Sequence, residues 1–284
     1  MAIKHAFTSE VEDGADETLV RPVDWNADHA GTLNNIADAD GDTKVQVEES
    51  ADEDIIRMDV AGVEAFKLSS IGILALAKQA TSKAYLDGDY NGIVLSTVIK
   101  VPLNAEAHDV QNEFNTRKLT GAADATEANK LHDADGGFEA ADVGSTIHNT
   151  TDNTFTTVTA FVDSGELTLT GDIMVNGENY TLYHARWTAT EPGRYLAIGS
   201  TTYKTTNMTD QKGYMARIAK NGTAVATTTM ASSGAVQINP IAVDVVDLAA
   251  SDYLELAVYH GGTSGNMILR GLEPATFLTI IKLT

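Results

Sequence analysis

The sequence has no cysteine, few aromatic residues and few positive charges, and each shortage excludes a class of protein. Without cysteine there is neither a disulfide framework nor a thiolate that could act as nucleophile or metal ligand. The chain has 19 basic and 40 acidic residues. Because its net charge of −21 repels a polyanion, we expect no nucleic-acid partner. The longest apolar run, Ile71 to Ala77, is far shorter than the ~18 residues of a membrane-spanning helix, so we expect no membrane insertion.

Catalytic and cofactor motifs are also lacking. The histidines are scattered without an H-x-x-x-H pair, and neither a G-x-S-x-G nor a Walker sequence occurs. Asp24, Asp28 and His29 could ligate a divalent cation. However, Asp28 and His29 are adjacent and point apart in an extended chain, and no nearby His or Glu completes the set. We therefore predict no catalytic residue, no metal site and no cofactor.

The residues that are abundant, Ala, Thr, Val and Gly, favour strands and turns. Residues 1–44 are acidic and rich in turn residues, which predicts an extended arm without a core of its own. Residues 45–132 contain short strands separated by turns, followed from residue 104 by a helix-compatible connector. That helix would be capped by Asn104 and would place on one face Ala107, Val110, Gln111 and Phe114.

The second half of the chain has the alternation of half-buried strands. Residues 133–184 are rich in Thr and Val between turn sequences, which predicts a small antiparallel, β-barrel-like module. Residues 185–284 contain longer strands at the spacing of a β-sandwich. Asn221 and Gly222, between two of these strands, form a two-residue hairpin signal because both residues tolerate positive φ.

The stretch "HAFTSEVEDGADETLVRPVDWNADHAG", residues 5–31, resembles the opening of many structural proteins of tailed, phage-like viruses, and its specific core is "RPVDWN". The resemblance implies that residues 1–44 attach the chain to the capsid or tail of a virion. It assigns the attachment to Arg21, Pro22, Asp24, Trp25, Asn26 and His29. Residues 128–183, which include "VGSTIHNTTD", "TVTA", "LTL" and "GENY", are similar to a small β module that recurs in virion proteins.

Residues from about 185 resemble the jelly roll of the complement-globular and tumour-necrosis-factor families. The matching stretches are "RWTATEPGRYLAI", "KNGTAV", "VDVVDLAASDYLELAVYH" and the final "ATFLTIIKL", and Ser251 replaces the Gly that usually precedes Asp252. The resemblance implies a homotrimer with the closing strand near the three-fold axis. The residues we expect in the trimer core are Tyr195, Tyr253, Leu254, Phe277 and Ile280.

The sequence therefore predicts a mainly β, trimeric protein: an extended N-terminal arm, short β stalk modules, a small β-barrel-like module and a C-terminal jelly-roll β-sandwich. The expected function is a non-enzymatic fibre or spike on the virion surface. Its partners would be capsid or tail proteins and a host-surface glycan or surface-layer protein, contacted through the polar loops "TTNMTDQKG" and "HGGTSGN". Two alternatives stay open: a capsid decoration or cement protein, and a carbohydrate-active enzyme.

Overall fold

The computed structural model describes residues 35–47, 55–71, 74–76, 80–234, 236–263 and 266–283. Regular structure in these residues consists of β-strands and one short 3-10 turn, Ala140–Asp142, so the predicted mainly β class is confirmed. A helix of membrane-spanning length and hydropathy does not occur in this part of the chain. The chain divides into two compact units, residues 1–78 and 79–284.

The N-terminal unit contains one antiparallel five-stranded sheet in which each strand pairs with the next along the chain. Its strands are β1 Asn35–Ala37, β2 Lys44–Gln46, β3 Ile56–Val60, β4 Val63–Leu68 and β5 Leu74–Leu76. Strands β3 and β4 are joined by Ala61 and Gly62, which both have positive φ, 50° and 72°, as a two-residue hairpin turn requires. The tight turn predicted here from the sequence is therefore present.

The C-terminal unit is a jelly roll with a second module inserted into it. The jelly-roll strands before the insertion are β6 Thr81–Tyr85, β7 Tyr90–Ile93, β8 Ile99–Lys100, β9 Ala105–Asp109 and β10 Phe114–Asn115. The inserted strands are β11 Lys118–Ala122, β12 Lys130–His132, β13 Thr146–Asn149, β14 Thr154–Asp163, β15 Glu166–Leu169 and β16 Asn179–Tyr183. The strands after it are β17 Arg186–Thr188, β18 Gly193–Ser200, β19 Gly213–Lys220, β20 Thr223–Ala231, β21 Ile241–Leu248, β22 Tyr253–His260, β23 Met267–Leu269 and β24 Phe277–Lys282.

Two antiparallel sheets form the body of the jelly roll, and β7 and β23 pair with each other outside them. Sheet I has the order β21-β18-β24-β6-β9, and sheet II has the order β10-β17-β22-β19-β20 with β8 also paired to β22. Strands distant in sequence are neighbours in both sheets, as expected for a jelly roll built from Greek keys. Gly199 of sheet I faces Leu256 and Ile218 of sheet II so closely that a Cβ would lie 2.6 Å from Leu256 Cδ1.

The core between the sheets is apolar and rich in buried aromatic residues. Trp187 is 1% exposed, packs edge-on against Tyr195 at 5.1 Å and donates its Nε1–H to Ser82 Oγ at 3.2 Å. Tyr203 packs in the same way against Tyr214 at 5.2 Å. Buried aromatic residues with satisfied polar atoms contribute large apolar area at little desolvation cost, and they hold the two sheets together.

The inserted module is a six-stranded antiparallel sheet in the order β11-β16-β13-β14-β15-β12. It has a separate core that includes Leu131, Ile147, Leu167 and Leu182, each fully buried. The module begins at Lys118, rather than at the predicted residue 133. The jelly roll likewise does not begin at residue 185, because β6, β9 and β10 belong to the same sheets as strands after the insertion.

The predicted helix over residues 104–132 is wrong. This segment forms β9, β10, β11 and β12 instead. Of the residues expected on one helical face, Phe114 is buried and Val110 is 47% exposed in the extended structure, so they do not share a buried face. Pairing of β9 with β6 and of Phe114 with Trp187 satisfies the backbone in extended form.

The predicted hairpin at Asn221 and Gly222 is confirmed. These residues join β19 to β20 with φ values of 49° and 79°. The Asn221 side chain also binds the next hairpin, because its Nδ2–H donates to Asp252 Oδ1 at 2.6 Å and its Oδ1 accepts the Tyr253 N–H at 2.9 Å.

Candidate functional site

An apolar surface covers the side of sheet I that faces away from sheet II. Alternate residues of each strand point to opposite sides of a sheet, so those between the core residues form this surface. We call it the apolar face, and its members are Leu196, Ile198, Ile241, Val243, Val245, Phe277 and Ile281. The three on β21, Ile241, Val243 and Val245, are 46%, 53% and 43% exposed.

The strand register makes the aliphatic part of the apolar face contiguous across β21, β18 and Ile281 of β24, whereas Ser200 and Thr279 interrupt it next to Phe277. Leu196 lies between Val245 on one neighbouring strand and Ile281 on the other. Ile198 is paired with Val243 in the next row. Directly opposed side chains of neighbouring strands are about 5 Å apart, so these rows touch. A contiguous apolar patch of this kind on a protein surface is typical of an interaction site.

Charged groups border the apolar face. Arg194, which continues the outward row of β18, forms an ion pair with Asp247 at 3.2 Å. Lys83 on β6 lies 3.0 Å from Glu273 and stacks over the Phe277 ring at 4.7 Å. An apolar centre with a charged rim is the usual composition of a subunit interface.

The residues predicted for a trimer core require correction. Tyr195, Leu254 and Ile280 are at most 1% exposed in the single subunit, so they build its own core and are not available to a neighbour. Tyr253 lies on sheet II beneath the Arg186 guanidinium, 3.7 Å from its ring centre. Phe277 alone among the five belongs to the apolar face. For Tyr195 and Ile280 the error is one residue of register, because such a shift in an alternating strand moves a side chain to the other side of the sheet. Tyr253 and Leu254 lie on β22, which belongs to sheet II and not to the sheet that carries the apolar face.

The sequence did hold a signal for the apolar face. Strand β21 has apolar residues on both of its sides over much of its length. Ala242, Val246 and Leu248 point inward, and Ile241, Val243 and Val245 point outward. Strands with apolar residues on both sides are typical of sheets that are covered on both faces. The predicted attachment residues, Arg21, Pro22, Asp24, Trp25, Asn26 and His29, lie outside the described residues.

The two polar loops singled out in the sequence meet at one end of the jelly roll. Asn207 Nδ2–H donates to the Asn266 carbonyl at 2.8 Å, and the hydroxyls of Thr209 and Thr263 lie 3.3 Å apart. Tyr214 supports them from the core by accepting the Thr209 N–H at 2.7 Å. The described parts of these loops thus form one polar surface on a rigid scaffold, an arrangement suited to recognition.

Two further groups of side chains contain the residue types of a metal site or of a catalytic pair. Asp38, Asp40 and Asp42 are exposed and hold carboxylate oxygens within 4.8 Å of one another. The Asp38 carboxylate accepts the N–H groups of Thr43 and Gly41, and the hydrogen bond from Thr43 lowers its pKa most. This carboxylate therefore closes a turn.

The Ser145 hydroxyl lies 2.9 Å from His184 Nδ1, which is the geometry of a nucleophile and its base. Ser145 is however completely buried, so no substrate can reach it. The nearby Asp142 carboxylate is bonded to Arg117 at 2.7 Å instead of orienting the histidine. Burial lowers the pKa of His184 to about 4, with further lowering by Arg186 and Lys100, so this imidazole is neutral at pH 7.

Comparison with known proteins finds similarity in structure only. No protein-family model and no curated protein sequence matches the chain. Among solved structures, the globular domain of zebrafish complement 1qA protein is 7% identical, with 72% of this chain and 98% of that domain covered at a TM-score of 0.36. The Eiger TNF of S. frugiperda is 12% identical, covers 61% of this chain and 94% of its own, and has a TM-score of 0.27. Rabbit GITRL is 19% identical over 35% of this chain and 72% of its own, with a TM-score of 0.25. Because these scores are low, the jelly-roll assignment rests on the strand order of sheets I and II.

Proposed function

We propose that this chain is a non-enzymatic structural protein of a virion that assembles as a homotrimer through the apolar face of sheet I. In this proposal residues 1–44 attach it to the capsid or tail, and the jelly roll is a distal knob that contacts a host surface. The observation that carries the assembly part of the proposal is the apolar face, because contiguous exposed aliphatic side chains on a chain with a net charge of −21 are typical of a surface that a partner covers.

A second and third copy are the occupants that best fit the apolar face. The face is the outer surface of the sheet that contains the closing strand β24, which the jelly-roll resemblance places near a three-fold axis. Its half-exposed valine and isoleucine side chains each leave about 1 kcal/mol of hydrophobic stabilisation unused in the monomer. Assembly recovers this free energy and leaves the charged rim at the edge.

Virion attachment is supported by the resemblance of residues 5–31 to the openings of virion proteins. The test is incorporation of tagged Trp25→Ala chain into particles, compared with tagged unaltered chain. Loss of incorporation, with the oligomeric state of the purified variant unchanged, is the expected result. Normal incorporation of the variant would show that the attachment assignment is wrong.

Host contact is supported by the polar surface that the loops around Asn207 and Thr263 form. We expect purified full-length chain to bind host cells, and a variant with Asn207→Ala and Thr209→Ala to bind less. A full-length protein that stabilises the shell but does not bind cells would instead favour a decoration protein.

A further inference from the structure

A cleft of 370 Å³ lies where the inserted module meets sheet II. Strands β8, β17 and β22 form its floor, and the loop before β13 together with β14 forms the opposite wall. It is on the sheet opposite the apolar face, so assembly through that face leaves it open. Its volume is at the small end of the ~300–1,000 Å³ range of ligand sites, which fits one or two sugar rings.

The floor of the cleft carries two cations and one carboxylate. Glu255 Oε1 accepts from Arg186 at 3.1 and 3.0 Å and from Lys100 at 3.3 Å. The three side chains are 17%, 11% and 13% exposed, in the order Arg186, Lys100 and Glu255. Among the residues that line the cleft, Glu255 is the one acidic side chain, so the floor has an excess of one positive charge within a strongly acidic protein.

Hydrogen-bonding capacity on this floor is only partly used. Arg186 uses Nε and Nη2 for Glu255 and the Gly144 carbonyl, and its Nη1 donates to no described residue. Lys100 donates one further bond, to the His184 carbonyl at 2.8 Å. All three bonds to Glu255 end on Oε1, so Oε2 can still accept from a hydroxyl group. The floor therefore offers donors to an anion and, beside them, an acceptor.

The excess positive charge on the floor of the cleft is energetically unfavourable. Burial lowers the pKa of Lys100 to about 8, and the repulsion of Arg186 contributes, although Glu255 opposes the shift. A bound anion would remove this repulsion. A bare multivalent anion would however meet Glu255 Oε2, whereas a singly charged ligand that also carries hydroxyl groups would satisfy both kinds of partner.

The remaining walls suit a sugar ring. Phe155 and the Tyr253 edge provide apolar surface, and Thr146 and Thr157 line the cleft with side chains that can bond hydroxyl groups. Thr157 is exposed, whereas Thr156 is buried and its hydroxyl accepts the Gly171 N–H at 2.8 Å. Aromatic surface with a few convergent polar groups is the usual composition of a small-ligand site.

We propose that this cleft binds an acidic sugar, a uronic or sialic acid residue, with its carboxylate on Arg186 and Lys100 and a hydroxyl on Glu255 Oε2. The inference goes beyond the proposed function, because the cleft is a separate site from the loops around Asn207 and Thr263. It does not depend on trimer formation or virion attachment, since binding is measured on purified chain in solution.

The test is ligand-observed NMR and calorimetric titration of the full chain at pH 7 with D-glucuronate and N-acetylneuraminate. Glucose, acetate and inorganic phosphate serve as controls. A dissociation constant of about 1 mM is expected for an acidic sugar of this size, with glucose and acetate at least about tenfold weaker. Equal binding of acetate or phosphate would show a general anion site, and binding of none of the probes would show that the three charges only join the module to sheet II. Either result overturns the proposal.

Two pairs of variants locate the binding. Thr157→Glu places a negative charge in the cleft and should weaken binding at least about tenfold, whereas Thr159→Glu places it outside the cleft on the same strand and should change it less than about twofold. Arg186→Gln should also weaken binding at least about tenfold, and the exposed Arg194→Gln should not. If Arg186→Gln fails to fold, the Thr157 pair still decides; unchanged binding by Thr157→Glu would contradict the assignment.

Discussion

Substitution of Val243 by Asp is the sharpest perturbation of the proposed assembly. Val243 sits at mid-strand in β21, is 53% exposed in the subunit and is paired with Ile198 across the apolar face. Full burial of a valine side chain is worth about 1.5–3 kcal/mol, so the half that stays exposed in the monomer accounts for about 1 kcal/mol per subunit. Desolvation of the new carboxylate adds at least about 2 kcal/mol.

The effect is multiplied by symmetry, because every subunit of a trimer carries the substitution. About 3 kcal/mol per subunit becomes about 9 kcal/mol per trimer, or a factor of ~10⁶ in the dissociation constant of the three-subunit equilibrium. Size-exclusion chromatography with light scattering at micromolar concentration should therefore show monomer for Val243→Asp. The fold of the subunit should be retained, since the side chain does not enter the core.

The matched control is Thr227→Asp, which adds the same charge to an exposed mid-strand position of β20 in sheet II. We expect it to leave the mass of the assembly unchanged. If Val243→Asp and Thr227→Asp behave alike, the apolar face is not the interface, and the reasoning from its exposure is refuted.

Three further predictions concern the stability of the jelly roll. Ser251 has a φ of 72°, a conformation that favours glycine. Its N–H donates to the Ala189 carbonyl, and this hydrogen bond does not need the side chain. Ser251→Gly should therefore raise the free energy of unfolding, measured by urea denaturation, by about 0.5–1 kcal/mol. Because the pKa of His184 is lowered to about 4 in the folded chain, the unfolded chain binds a proton more readily below pH 6.5. The melting temperature should therefore fall as the pH is lowered from 6.5 to about 4. His184→Gln should make this fall smaller in thermal melts recorded across that pH range. A Cβ at Gly199 would lie 2.6 Å from Leu256 Cδ1 and 3.1 Å from Ile218 Cγ1, so Gly199→Ala should destabilise by about 1–3 kcal/mol; an unchanged melting temperature would show that the sheets can separate at no cost.

Local signals predicted the strands well, because alternation and turn chemistry are set by neighbouring residues. Asn221 and Gly222 are an example: their tolerance of positive φ is a property of the residues themselves. The Gly expected before Asp252 is instructive in the same way. The resemblance marked position 251 as unusual, and the structure supplies the physical reason in the positive φ of Ser251.

Long-range pairing could not be predicted in this way. The hydrogen bond from Trp187 to Ser82 joins residues separated by 105 positions and by the whole inserted module. Nothing local to β6 indicates that its partner is β24, at the end of the chain. Local composition was the basis for the predicted boundary at residue 185 and for the predicted helix after Asn104. Both predictions were wrong because pairing between strands distant in sequence determines the secondary structure and the domain boundary.

The sequence-based choice of residues for a subunit interface differs from the residues that the structure exposes. Ile280 was expected at an interface, but its side chain points into the core of the subunit. The sequence does not separate the two sides of β24, because large apolar residues lie on both of them. The cleft floor at Arg186, Lys100 and Glu255 gave no sequence signal, since its members are 86 and 69 positions apart and meet only through sheet II.

Sedimentation equilibrium of the unaltered full chain tests the central claim most directly. At one to ten micromolar, in about 0.15 M salt that screens the repulsion between acidic subunits, the account predicts a single species of three subunit masses. A well-behaved monomer under the same conditions would contradict assembly through the apolar face, and with it the proposed trimeric knob.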